Sequence, residues 1–201
     1  VTAVYASAAG NFAELVRRIP AAAWGGPGLG DWDLRALVGH TSRSLTTVST
    51  YLQTTAARED VTSAAEYYVK VTPSALGIDP AAVAERGRQA GRDLGDDPAG
   101  TVADLVARAL ADLEAVEDPL IEVIGGLGIR LRNYLPTRTF ELAVHGLDIA
   151  RAAGIDYSPP ADVLTEATRL AAEVAVISGQ GPQVLLALTG RQPLPPSFSI
   201  V

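Results

Sequence analysis

The stretch Asp33-Leu-Arg-Ala-Leu-Val-Gly-His40-Thr-Ser-Arg43-Ser-Leu45-Thr-Thr-Val48-Ser-Thr-Tyr51-Leu52 decides how the chain is read. Leu34, Leu37, Val38, Leu45, Val48, Tyr51 and Leu52 recur every three to four residues, which draws one apolar stripe along a long helix. His40 lies inside that helix, away from its fraying ends, so its imidazole is rigidly placed. Asp31 or Asp33 can cap the helix, and Trp24-Gly-Gly-Pro-Gly-Leu-Gly30 before it is too rich in glycine and proline to be regular.

The same spacing recurs outward from this segment. Val4, Ala8, Phe12, Leu15, Val16 and Ile19 predict a first helix that Pro20 stops. Asp79-Pro80 and Asp97-Pro98 each set a capping carboxylate before a proline at the first helical position. The first pair opens a helix to Gly95. The second opens one along Val102, Leu105, Val106, Ala109, Leu110, Leu113 and Val116, ending near Asp118-Pro119. Pro136 is expected to open another, through Phe140, Leu142, Val144, Leu147, Ile149 and Ala152, with Gly154 as its stop. Ser158-Pro-Pro-Ala-Asp162 starts a last long helix to Ile177, and Gln183 to Thr189 is a short apolar segment before a proline-rich end.

Two stretches resist this reading. Between Arg58 and Gly77, Tyr67, Tyr68, Val69 and Val71 suit strand or helix, and Pro73 and Gly77 break what precedes them. Between Ile121 and Arg132, β-branched residues and three glycines suggest extended chain turning at Gly125-Gly126, or an irregular loop. The whole reads as mainly all-α, one domain over residues 1–201 with 158–201 as a helical C-terminal extension packed on it.

Composition narrows the function. A net charge of −7 and no run of basic residues argue against a nucleic-acid partner. Cysteine is absent, so disulfides, thiolate ligands and a protein sulfur nucleophile are excluded, and any thiol chemistry draws its thiol from outside. No apolar stretch approaches the ~20 residues that span a bilayer, and Val1 to Gly10 lacks a basic, then apolar, leader. The expected address is the cytoplasm, with no membrane partner.

Glu141 and His145 stand four apart on a predicted helix and therefore leave one face a turn apart, able to reach one ion or simply to pair at the surface. His40 is the only other histidine. It is either a hydrogen-bonded core residue or a third ligand. Two imidazoles and one carboxylate would leave coordination positions open for substrate or water. Asp148, three residues after His145, can accept from its free N–H or lie at the surface. Arg43, nearly a turn after His40, is a candidate anchor for an anionic substrate, as are Arg130, Arg132 and Arg138. Trp32 reads as a packing lid over the bundle end.

Gly30-Asp-Trp-Asp-Leu-Arg-Ala-Leu-Val-Gly-His40 resembles the opening motif of the mycothiol-dependent maleylpyruvate isomerase family, within the DinB-like superfamily. Arg138-Thr-Phe-Glu141-Leu-Ala-Val-His145-Gly-Leu-Asp148 resembles the family's second motif, and Leu185-Leu-Ala-Leu-Thr-Gly190-Arg-Gln-Pro-Leu-Pro resembles the end of many actinobacterial members. The resemblance implies a four-helix up-down-down-up bundle in which His40, Glu141 and His145 bind a divalent metal, zinc first and nickel, iron or manganese as alternatives. It also implies mycothiol as co-substrate, in a monomer or homodimer. The isomerase itself resembles a two-domain protein with an additional C-terminal domain, which these 201 residues are expected to lack, so maleylpyruvate is not the expected substrate. The expected activity is thiol transfer to, or cis–trans isomerisation of, a small electrophile. The competing reading is a non-catalytic binding or scaffold protein on the same bundle. A transcriptional regulator ranks last, because the arginines of Glu85 to Arg92 are balanced by acids.

Overall fold

Each amphipathic stripe read in the sequence becomes a helix in the computed structural model, which describes residues 1–72, 75–77 and 79–201. Helix α1 spans Thr2–Arg17, α2 Leu34–Tyr51, α3 Ala64–Lys70, α4 Pro80–Asp93 and α5 Pro98–Glu114. Strands β1 (Leu120–Val123) and β2 (Leu127–Arg130) then lead into α6 (Leu131–Ala153), α7 (Ala161–Ile177) and α8 (Gly181–Leu188). Of the capping candidates before α2, Asp33 is the one used: its side chain accepts from the Ala36 backbone N–H. Asp79 and Asp97 cap α4 and α5 as their Asp-Pro pairs predict. Pro73 lies outside the described residues.

Helices α1, α2, α5 and α6 surround one core, in which Tyr5, Phe12, Leu15, Leu37, Leu45 and Tyr134 are fully buried. Hydrogen bonds between the ends fix the directions. Arg35, at the start of α2, donates to the carbonyls of Gly91, in the last turn of α4, and Gly95, just before α5 begins, so α2 and α5 start at one end and run in parallel. Arg18, just past α1, donates to the carbonyl of Asp156, just past α6, at 2.7 Å, so α1 and α6 finish together. Tyr134, early in α6, donates to Thr47, late in α2, and those two helices are antiparallel. The order is up-down-down-up, an all-α bundle of DinB-like type. The crossover that a parallel α2–α5 pair requires is built from α3 and α4.

Helix α4 packs on α2 at very short range. A Cβ at Gly39 would lie 2.1 Å from the Gly91 backbone nitrogen, so only glycine permits this crossing. The segment from Ile121 to Arg132 resolves into the antiparallel pair β1–β2, with Leu120 opposite Arg130 and Gly125 and Gly126 at positive φ in the turn.

The uncertain stretch after Arg58 is helical over α3. Ser63 accepts from the Glu66 backbone N–H, and the Glu66 carboxylate reaches back to the N–H and hydroxyl of Thr62, which starts the helix despite the β-branched residues at its end. The start of α6 differs from expectation. Pro136 lies inside the helix rather than opening it, because Asp118 accepts from the Arg132 N–H and the Pro119 carbonyl accepts from Leu131, starting the helix five residues earlier. The missing N–H of Pro136 leaves one helical hydrogen bond unmade. Gly154 ends α6 in the left-handed conformation, as read from the sequence. Helix α7 then packs along α6, α3 and α1, and α8 along α7.

Candidate metal centre

His40 projects from the second turn of α2, and Glu141 and His145 project from consecutive turns of α6. Because the two helices are antiparallel neighbours, the three side chains meet. Each offers one potential ligand atom, and all three atoms lie within 4.8 Å of one another. The His40 and His145 rings stand edge to face with centroids 5.2 Å apart, and Trp32 packs its ring 4.5 Å from that of His40. Trp32 is therefore more than a lid: its indole N–H is held by the Ala84 carbonyl of α4, which fixes the ring against His40.

The other polar atoms of Glu141 and His145 are already engaged. His145 Nδ1 is 3.2 Å from an Asp148 carboxylate oxygen, and its Nε2 is 3.3 Å from Glu141 Oε2. Tyr68 of α3 donates to Glu141 Oε1 at 2.8 Å, with the Thr137 carbonyl as a second acceptor at 3.1 Å. Glu141 Oε2 and His145 Nε2 are thus turned to the same point, the arrangement that supporting contacts give metal ligands.

The charges differ sharply across a few ångströms. Burial, reinforced by the neighbouring His145, lowers His40 to about 4, so its imidazole is neutral. Burial also works against a charged His145, but hydrogen bonds to Asp148 and Glu141, with their negative charges, outweigh it and raise that histidine to about 9. Glu141 is likewise opposed by burial, yet the His145 hydrogen bond and the Arg138 charge hold it down at about 2.

A cavity of about 270 Å³ opens beside these residues, with His40 and Glu141 in its wall. Arg43 lines it, as does Arg138, whereas Arg130 and Arg132 turn away to Glu59 and Asp118 near the hairpin. Tyr68, Arg86 and Tyr134 also belong to the site and were not singled out from the sequence. Tyr68 and Arg86 reach His40 and Glu141 through contacts across the fold that no local spacing encodes, whereas Tyr134 stands seven residues before Glu141, on the same face of α6, and that spacing could have marked it.

The family described as Mycothiol maleylpyruvate isomerase N-terminal domain matches residues 5–150, from α1 through nearly all of α6, including His40, Glu141 and His145. No curated protein matches the chain, and no solved structure does. Among the described residues no helix is long and apolar enough to cross a membrane. The matched span covers the bundle and every potential ligand, and on that ground the chain belongs to the mycothiol maleylpyruvate isomerase N-terminal domain family.

Proposed function

We propose that the protein is a metal-dependent enzyme of small-molecule thiol chemistry, with His40, Glu141 and His145 as ligands of one divalent ion and mycothiol as co-substrate. The observation that carries the reading is the meeting of three donor atoms from α2 and α6 beside a cavity that His40 and Glu141 line, with the other faces of Glu141 and His145 already held by Tyr68 and Asp148. The donors fit such an ion. Glu141 Oε2 and His145 Nε2 stand 3.3 Å apart, close to the separation of about 3.3 Å that bonds of ~2.0–2.1 Å give two ligands of a tetrahedral ion, and all three ligand atoms lie within 4.8 Å of one another. Two imidazoles and a carboxylate suit zinc, and they also accept nickel, iron or manganese.

When bound, the ion lowers the pKa of a coordinated thiol and makes a thiolate available at neutral pH. The chain supplies the rest. Asp148 accepts a hydrogen bond from the Nδ1–H of His145, which keeps that proton on Nδ1 and leaves Nε2 as the ligating atom. Tyr68 fixes the rotamer of Glu141, and Trp32 fixes that of His40. Tyr51, Tyr67 and Tyr134 wall the cavity and limit water around the nucleophile. Addition of the external thiolate to a carbonyl-conjugated double bond forms a C–S bond as the C=C π bond breaks and its electron pair passes to the carbonyl as an enolate. Protonation of the enolate carbon by solvent keeps the C–S bond and completes thiol transfer; rotation about the former double bond, return of the electron pair and expulsion of the thiolate complete cis–trans isomerisation.

Metal content by mass spectrometry on untagged protein tests the proposal. About one ion per chain is expected, lost in His40→Ala and in Glu141→Ala, with thiol-transfer assays following on the loaded protein. Wild-type protein that holds no metal under replete conditions would overturn it and leave a non-catalytic, small-molecule-binding bundle as the reading.

A further inference from the structure

The wall of the cavity beside the three ligand residues carries unbalanced positive charge. Arg43 of α2, Arg86 of α4 and Arg138 of α6 line it together, and Glu141 is the one carboxylate among its lining residues. All three arginines are half-buried. Among the described residues, none has a carboxylate within 4.0 Å, whereas Arg88 and Arg92, on the outer face of α4, are both paired with Glu85.

Arg138 is the most constrained of the three. Its guanidinium lies over the rings of Tyr67 and Tyr134 at 5.4 and 5.0 Å, and its Nε donates to Thr137 Oγ1 at 3.0 Å. That contact uses one N–H of five and leaves the terminal fork without an acceptor among the described residues. Glu141 is close enough to feel the Arg138 charge, but its two oxygens are turned to Tyr68 and His145, so the fork itself is unpaired; a half-buried guanidinium left so is unfavourable, and its geometry matches an oxyanion. Three such groups around one cavity, in a chain of net charge −7, mark a place that an anion completes. At about 270 Å³ the cavity suits a small molecule rather than a macromolecular segment.

We infer that the cavity binds a small organic anion through a carboxylate or phosphate group held by Arg43, Arg86 and Arg138, next to the three ligand residues. The identification of that anion as the substrate class rests on the proposed function; its binding does not. The bland alternative, in which the arginines only pack on tyrosine rings, accounts for Arg138 but not for Arg43 or Arg86, neither of which lies over a ring.

The test is calorimetric titration of the full chain, both stripped of metal and reloaded with zinc, using succinate, inorganic phosphate and the neutral isostere succinamide. Succinate or phosphate is expected to bind in both preparations, and whichever binds identifies the oxyanion. Succinamide is expected not to bind. Arg43→Gln and Arg86→Gln should each weaken binding by about tenfold or more, the worth of one charge-assisted contact. Arg88→Gln, on the same helix but outside the cavity, should leave it unchanged. Failure of both anions to bind, equal binding of succinamide, or binding indifferent to Arg43→Gln and Arg86→Gln would overturn the inference. Melting curves on each variant separate misfolding from lost recognition. Metal content in the same samples separates the two readings: a chain that keeps its ion but binds no anion overturns only this inference, and one that binds the anion but never holds an ion overturns only the proposed function.

Discussion

His145 is gripped at both ring nitrogens, by Asp148 on one side and Glu141 on the other, and the two contacts have different consequences. Asp148 sets the tautomer without reaching the shared ligand point. Asp148→Asn is therefore expected to weaken metal affinity by about 10–100-fold while leaving the stoichiometry at one, measured by competition with a chromogenic chelator. His145→Ala should abolish metal retention altogether; a histidine that merely packs would lose stability and leave metal content unchanged. Tyr68→Phe removes one hydrogen bond to Glu141 and should have a smaller effect than Asp148→Asn in the same assay. The Glu141–His145 pair was legible in the sequence because i,i+4 spacing within one helix is a local fact. Tyr68 was not, since it is 73 positions from Glu141 and meets it only through the placing of α3 against α6.

At the scale of elements, α3 depends on its first turn. Ser63 accepts from the Glu66 N–H, the Glu66 carboxylate accepts from Thr62, and Lys70 pairs with Glu66 at 2.7 Å. Ser63→Ala should cost about 1 kcal/mol, read by chemical denaturation. The Glu66 carboxyl is lowered to about 2, first by Lys70 and then by Thr62. Because the folded value lies below the unfolded one, its contribution is complete above the unfolded pKa of 4.5 and is lost as pH falls towards 2. The stability difference between wild type and Glu66→Gln should accordingly be constant near neutrality and shrink below pH 4.5; a difference that persisted at pH 2 would remove the carboxylate from the account.

The contact of α2 with α4 admits no side chain at Gly39. Gly39→Ala should destabilise by about 1–3 kcal/mol through overpacking and displace Arg86, whose helix is held by that contact. Helix ends marked by Asp-Pro or glycine could be read directly, because caps are local. The start of α6 was misplaced by five residues, since Asp118, which begins it, is fourteen positions from the Arg132 N–H that it accepts from, and no periodicity reveals such a bond.

For the whole molecule, α7 is packed along α1, α3 and α6, so unfolding should be a single calorimetric transition with residues 158–201 taking part. A separate low-temperature transition would show the C-terminal segment to be an independent unit. A metal at the three ligand residues would also tie α2 to α6, and native-state binding stabilises by mass action. Saturation at about 100 times the dissociation constant should add about 2.7 kcal/mol, removed by chelator and absent in His40→Ala. The sequence alone determined the helices with clear stripes, the caps, the absence of a protein thiol and the family, because each rests on spacing or residue identity along the chain. Only the tertiary structure decided that His40 stands beside Glu141 and His145, that Trp32 and Tyr68 support them, and that Arg86 shares a cavity with Arg43 and Arg138. Those relations depend on which faces of antiparallel helices meet, and an amphipathic pattern shows that a face is buried without naming the face it is buried against.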